Sequence, residues 1–200
     1  MNRADIMYKD DLIKRFETYI FFSPHLDDAV LSCGLLLKLL KTMRKKIFVY
    51  SVFTRVSDEP FTKQAIRFMS SCSYNNAHQL FRDRKKEDAL AMAYFGAGNK
   101  HLNFIDAAWR KTNFYEKYLR FAKLFRFIPH LTHVYPNAAT QFSGNPSLLD
   151  DLLQKKLTQK LLREVQRANK KTLLLAPLGV GGHVDHVITR LCVEKLGKPT

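Results

Sequence analysis

Two apolar runs, "TYIFFSP" at residues 18–24 and "KIFVYSVFT" at residues 46–54, flank a segment of helical periodicity, and this spacing constrains the fold more than any other feature. The first run reads as a buried strand stopped by Pro24, whose ring removes a ladder donor. In "DDAVLSCGLLLKLLKTMRKK", Val30, Leu31, Leu35, Leu39 and Met43 recur at helical spacing and predict a helix with Asp27 as N-cap. The connection between the two strands is too long for a hairpin. It has the length of a crossover joining parallel neighbours, so a mostly parallel sheet is predicted.

The same alternation continues downstream. Residues 57–76 read as a polar loop, "HQLFRDRKKEDALAMAYFGAG" as a helix ended by Gly96 and Gly98, and "HLNFID" as a short strand closing at Asp106. "NFYEKYLRFAKLFRFI" places Phe114, Tyr118, Phe121 and Phe125 on one helical stripe. "THVYPN" suggests a further short strand, "LLDDLLQKKLTQKLLREVQRANK" a long amphipathic helix, and "TLLLAP" a last buried strand. "LGVGGHVDH" then leads into a closing helix. The fold class expected is α/β, a three-layer Rossmann-like domain with ligands bound beyond the carboxyl ends of the strands.

An apolar content of 46% over 200 residues suffices for one cored domain. The first residues carry Asp5, Asp10 and Asp11 and have no signal-peptide pattern. The longest apolar stretches, near residues 29–37 and 173–180, fall short of the roughly 20 residues a membrane span needs. A cytoplasmic location is expected. Cys33, Cys72 and Cys192 form no C-x-x-C pair, which argues against a disulfide framework and a thiolate metal site. The net charge of +15 creates a field attractive to anions, a property composition alone does not assign to a partner.

The chemistry-bearing residues sit just past two predicted strands: His25-Leu26-Asp27-Asp28 and His183-Val184-Asp185-His186. Adjacent carboxylates repel unless a cation or shared proton compensates. A divalent ion resolves the conflict, since two imidazoles and one carboxylate make an open three-ligand site while the second carboxylate faces a metal-activated water as general base. The plainer reading makes Asp27 a helix cap and Asp28 a first-turn acid. That explains "HLDD" alone, but not "HVDH" after a second strand. Gly179, Gly181 and Gly182 are read as letting the backbone bend around the metal.

With "SPHLDDAVLSCG" and "GVGGHVDHV" paired in this way, the chain resembles the LmbE-like (PIG-L) zinc-dependent de-N-acetylases, whose end signatures are similar to P-H-x-D-D and G-H-x-D-H. "RKKEDALAMAYFGA", with Arg84 and Glu87, and Asp106 in "LNFID" match the intervening family positions. The resemblance implies that His25, Asp28 and His186 bind Zn2+, or another divalent ion such as Fe2+, and that Asp27 is the general base. It further implies that His183 polarises the acetyl carbonyl, that Asp185 orients or charges His183, and that Arg84 and Asp106 contact substrate. The implied substrate is an N-acetylglucosamine-type conjugate or a related N-acyl small molecule. Either Asp27 or His183 would protonate the leaving amine. Leu26 and Ala29 depart from the family pattern beside the ligands. Family members continue beyond the helix after the last signature, so the expectation is a single domain over residues 1–200, shortened at its carboxyl end.

The competing reading is a basic anion-binding module, for nucleic acid or a membrane surface, that keeps a vestigial metal site. It rests on the charge excess and the aromatic helix. Within the enzyme reading nucleic acid is not an expected partner, and peripheral membrane contact is assigned only to the aromatic stripe.

Overall fold

The computed structural model describes residues 13–112, 129–167 and 171–197. The predicted aromatic helix at residues 114–125 lies outside them. Four strands, β1 (Thr18–Ser23), β2 (Lys46–Arg55), β3 (Gly98–Ile105) and β4 (Thr172–Leu175), form one sheet in the order β3-β2-β1-β4, and every pairing is parallel. The helices are α1 (Asp28–Thr42), α2 (Lys63–Ser71), α3 (Ala77–Phe95), α4 (Asp151–Val165) and α5 (Val184–Glu194), with one-turn helices at Pro129–Thr132 and Ala138–Gln141.

The period-two alternation of β1 divides the core into two layers. Tyr19 and Phe21 pack with Ile47 and Val49 of β2 against Leu37 and Leu40 of α1 and Met92 and Phe95 of α3. Ile20 and Phe22 point the other way, onto Leu157 and Leu161 of α4 and Ile188 and Cys192 of α5. β1 is therefore buried on both faces, as a central parallel strand should be. The sheet places β2 on one side of β1 and β4 on the other. The loops after β1 and β4 thus part at a topological switch point, where open α/β sheets form their binding crevice.

Several local expectations are corrected. α1 buries Ala29, Leu37 and Leu40, while Leu31 and Leu35 are 78% and 84% exposed, so the core face is not the stripe predicted from periodicity. The cause is the run "GLLLKLL", apolar on several sides at once, which leaves the choice of face to the sheet. α2 arises within the predicted polar loop. Thr62 caps it by accepting the Ala65 N–H at 3.0 Å, and Ala65 and Met69, one helical turn apart, are its buried side chains. Among the described residues "THVYPN" forms no sheet strand: His133 makes an isolated antiparallel bridge to Lys111, and Tyr135 donates its O–H to Asp150 at 2.6 Å. β4 is half-buried at the sheet edge rather than buried. Among the described residues no helix is long and apolar enough to cross a membrane.

Candidate active site at the switch point

Pro24 ends β1, and the chain turns sharply into α1. Asp27 occupies the N-cap position expected from sequence, its carbonyl accepting the Leu31 N–H at 2.9 Å, but its side chain makes no capping bond. Ser23 takes over, its Oγ accepting the Ala29 N–H at 3.1 Å and donating to the His25 carbonyl at 2.7 Å. Both carboxylates of "HLDD" are thereby released for other partners. Asp28 turns inward, accepting the His25 backbone N–H at 2.9 Å. Asp27 turns outward to Arg84 of α3, whose Nη2 donates to its Oδ2 at 2.6 Å. Like charges held on opposite sides of one turn answer the repulsion that the sequence posed.

The loop after β4 brings its own histidines to the same place. His186, in the first turn of α5, has Nε2 3.3 Å from Asp28 Oδ2, and His25 Nδ1 lies 3.1 Å from that same oxygen. Ligands about 2.0–2.1 Å from a tetrahedral Zn2+ sit roughly 3.4 Å apart, and the donor atoms of His25, Asp28 and His186 lie within 4.8 Å of one another. Two imidazoles and a carboxylate therefore fit a borderline divalent ion. The partners behind the ligands fit as well, because the other nitrogen of His25 faces a carboxylate, Asp185 Oδ2 at 3.3 Å, the arrangement that fixes the tautomer of a ligating histidine.

Asp185 is fully buried, and two groups on other elements secure it. The Ala107 N–H donates to Oδ2 at 2.9 Å and Arg110 Nη2 to Oδ1. Arg110 is itself buried between two acids, bonding Asp150 at 2.9 Å and lying over the rings of Phe53 and Tyr135. Asp106 completes this inner wall, 3.5 Å from His25 Nε2 and capping the turn at Ala108. Burial, against the pull of His25 and with Asp185 close by, pushes Asp106 up to about 6. Despite their burial, Asp28 is held well below the carboxylate range by His186 and His25, and Asp185 by Arg110 and His25. Burial likewise opposes the imidazolium of His25, but Asp185 and Asp28 outweigh it and raise the ring well above its ordinary value.

His183 borders this cluster, its ring centroid 4.9 Å from that of His25, and its donor atoms lie within 4.8 Å of those of His25 and Asp185, but its own ring bonds run to other groups. Its Nδ1 accepts the backbone N–H of Asp185 at 3.2 Å, and its Nε2 lies 2.8 Å from the side-chain amide of Gln141. Burial brings its pKa down to about 4, with His25 and His186 close by adding to the fall against the pull of Asp185. The Asp185 carboxylate, read from sequence as orienting or charging His183, makes no hydrogen bond to that ring, although its charge favours the imidazolium form. It is committed to His25, Ala107 and Arg110, and the backbone of Asp185 sets the His183 tautomer instead.

Gly182 brings Gln141 to this position. It adopts φ of +70°, its carbonyl accepts the Gly144 N–H at 2.8 Å, and a Cβ placed on it would lie 2.8 Å from the Phe142 carbonyl oxygen. Only glycine allows the two loops so close. Gly182→Ala is expected to lower stability by roughly 1–3 kcal/mol, read as a fall in melting temperature. An unchanged melting temperature would show that the loops do not depend on this contact.

A cavity of roughly 390 Å3 opens over these groups, lined by His25, Asp27, Arg84, Asp106, His183 and His186. Its remaining wall is largely apolar, with Phe68, Phe81 and Trp109 on one side and Phe142 on another. All eight residues singled out from sequence lie in or directly behind this one site. Arg110 and Gln141 were missed. "DAAWRK" and "NAATQF" carry no motif, and only the fold brings them here.

Residues 20–196 match the family model PIG-L, GlcNAc-PI de-N-acetylase, and the chain belongs to that family. Among solved structures it is similar to a zinc-inhibited form of teicoplanin deacetylase, with 22% identity and a TM-score of 0.69 over 90% of this chain and 62% of that one. It is also similar to a pseudoaglycone deacetylase at 24% identity and a TM-score of 0.63, covering 91% and 59% of the two chains. N,N'-diacetylchitobiose deacetylase from Pyrococcus horikoshii, complexed with an inhibitor, aligns at 17% identity and a TM-score of 0.51 over 98% and 58%. The likeness to these three is one of fold, and the chain spans about three-fifths of their length. No curated protein matches it by sequence.

Proposed function

We propose that this chain is a metal-dependent de-N-acetylase that hydrolyses the amide of an N-acetylated amino-sugar conjugate. The observation that carries the reading is the convergence of His25, Asp28 and His186, from two loops far apart in sequence, with Asp27 left beside them and outside the ligand set. Family membership and the fold of the deacetylase neighbours support it. His25, Asp28 and His186 would hold the ion. A bound Zn2+ supplies a water whose pKa is lowered toward ~7 and a Lewis acid for the acyl oxygen.

Asp27 is the base. Arg84 bonds its Oδ2 and fixes the carboxylate, while Oδ1 makes no hydrogen bond among the described residues and is left to receive a proton from the attacking water. Attack forms a C–O bond at the acyl carbon and moves the carbonyl electron pair onto oxygen. His183 meets that oxygen as a neutral donor: its Nδ1 is engaged as an acceptor, so the ring proton sits on Nε2. A neutral ring is a poor proton source, because giving up that proton leaves an imidazolate. The amine therefore leaves with the proton that Asp27 returns, and acetate remains. Asp185 positions His25 throughout.

The metal-loaded protein should release acetate and free amine in equal amounts from an N-acetylglucosamine conjugate. Metal bound at this site without acetate release from any N-acetylated sugar offered would refute the hydrolase reading. Retained binding to polyanions with steep salt dependence would then favour the basic module.

A further inference from the structure

We propose that Gln141 is a substrate-contacting residue: its side-chain amide holds the His183 N–H in the free protein, yields that place to the acyl oxygen, and then donates to the same oxygen. The proposal rests on the de-N-acetylase reading above. With Nδ1 of His183 accepting from the Asp185 backbone, the ring proton is on Nε2. The structure places Gln141 Nε2 2.8 Å from His183 Nε2; two N–H groups do not face each other at hydrogen-bond distance, and the oxygen and nitrogen of an amide exchange places by a simple flip, so we assign the flipped amide, with its carboxamide oxygen accepting from His183.

This assignment has a consequence for the rest of the amide. Its –NH2 turns away from His183. Gln141 is only 6% exposed and makes no other hydrogen bond among the described residues, yet neither of its amide atoms is sealed from solvent without a partner. The residue lines the same cavity as Asp27 and His25. A donor with no partner among the described residues is thus carried by a side chain that lines the cavity where the amide bond must lie.

An acyl oxygen accepting from His183 Nε2 has to occupy the position that the Gln141 oxygen holds now. Displacement asks little of the backbone, because the terminal torsion of glutamine is broad. The one-turn helix Ala138–Gln141 keeps the residue in place, with Asn137 Oδ1 accepting the Thr140 N–H at 3.0 Å and Gly144 tied to Gly182. The Phe142 ring meets His183 edge-on with centroids 5.0 Å apart, which holds the imidazole while the amide turns. Two N–H groups, from His183 and Gln141, then converge on the developing oxyanion.

Steady-state kinetics of Gln141→Ala and Gln141→Glu, measured on the N-acetylated sugar that the wild type hydrolyses, test this. Metal content and melting temperature are measured in parallel. Loss of the donor should lower kcat by about 10²-fold with KM little changed. Gln141→Glu, which keeps the size and the acceptor but has no N–H, should lose at least as much and serves where the alanine variant fails to fold. An unchanged kcat, or a raised kcat/KM in Gln141→Ala, would show that the amide merely blocks the site, and overturns the proposal. A wild type that binds metal but releases no acetate fails the underlying reading instead, and the two failures are told apart by the wild-type reaction alone.

Discussion

Asp27→Asn is expected to lower turnover by about 10²–10⁴-fold while metal content and melting temperature stay near those of the wild type. The division of labour between two adjacent acids makes this expectation sharp. Asp28 has both histidines within 3.3 Å of one oxygen, whereas Asp27 meets Arg84 and is about half exposed. The Asp27 side chain makes no capping bond, so its replacement costs α1 nothing that Ser23 does not already supply. An amide keeps the size and one hydrogen-bond acceptor for Arg84 but accepts no proton from water. Loss of metal in this variant would make Asp27 a ligand and reverse the two roles.

The largest effect on stability is expected at Arg110. Its guanidinium is buried and bonded to Asp185 and Asp150, and Asp150 in turn accepts the Tyr135 hydroxyl. Arg110→Met keeps much of the volume but leaves two buried carboxylates without their cation. Breaking a buried pair in this way costs about 3–5 kcal/mol, and an unfolding free energy lower by that amount, extrapolated from urea unfolding curves, is the expected result. Some of the cost should reappear as weaker metal binding, because Asp185 is what holds His25. A loss below about 1 kcal/mol would place the network among solvent-exposed pairs, contrary to its burial.

The sequence reveals most of the sheet and the ligand-bearing loops for a simple reason. Strands buried on both faces are written as unbroken apolar runs, and "TYIFFS" and "KIFVYSVFT" announce themselves regardless of tertiary context. "HLDD" follows the first of these runs directly and "HVDH" follows the half-buried β4 after a glycine-rich loop, so their meeting at the switch point was foreseeable. The outward face of α1 was not, because "GLLLKLL" offers more apolar positions than the sheet covers. α2 escaped notice because its burial rests on few side chains. Gln141 and Arg110 belong to segments whose only signal is spatial: one reaches the site through the contact of Gly182 with residues 142–144, and the other through a turn that follows β3. Arg84 shows a third kind of gap. Its presence at the cavity was legible, but its pairing with Asp27 depends on how α3 lies beside the first turn of α1.

The most direct measurement is elemental analysis of the purified, dialysed chain after loading with Zn2+, compared with Asp28→Ala and His186→Ala. One substitution lies in the loop after β1 and the other in α5, yet each should reduce bound metal from roughly one ion per chain to background, since both remove a donor from a three-ligand set. Full retention of the ion in either variant would contradict a single centre shared by the two loops.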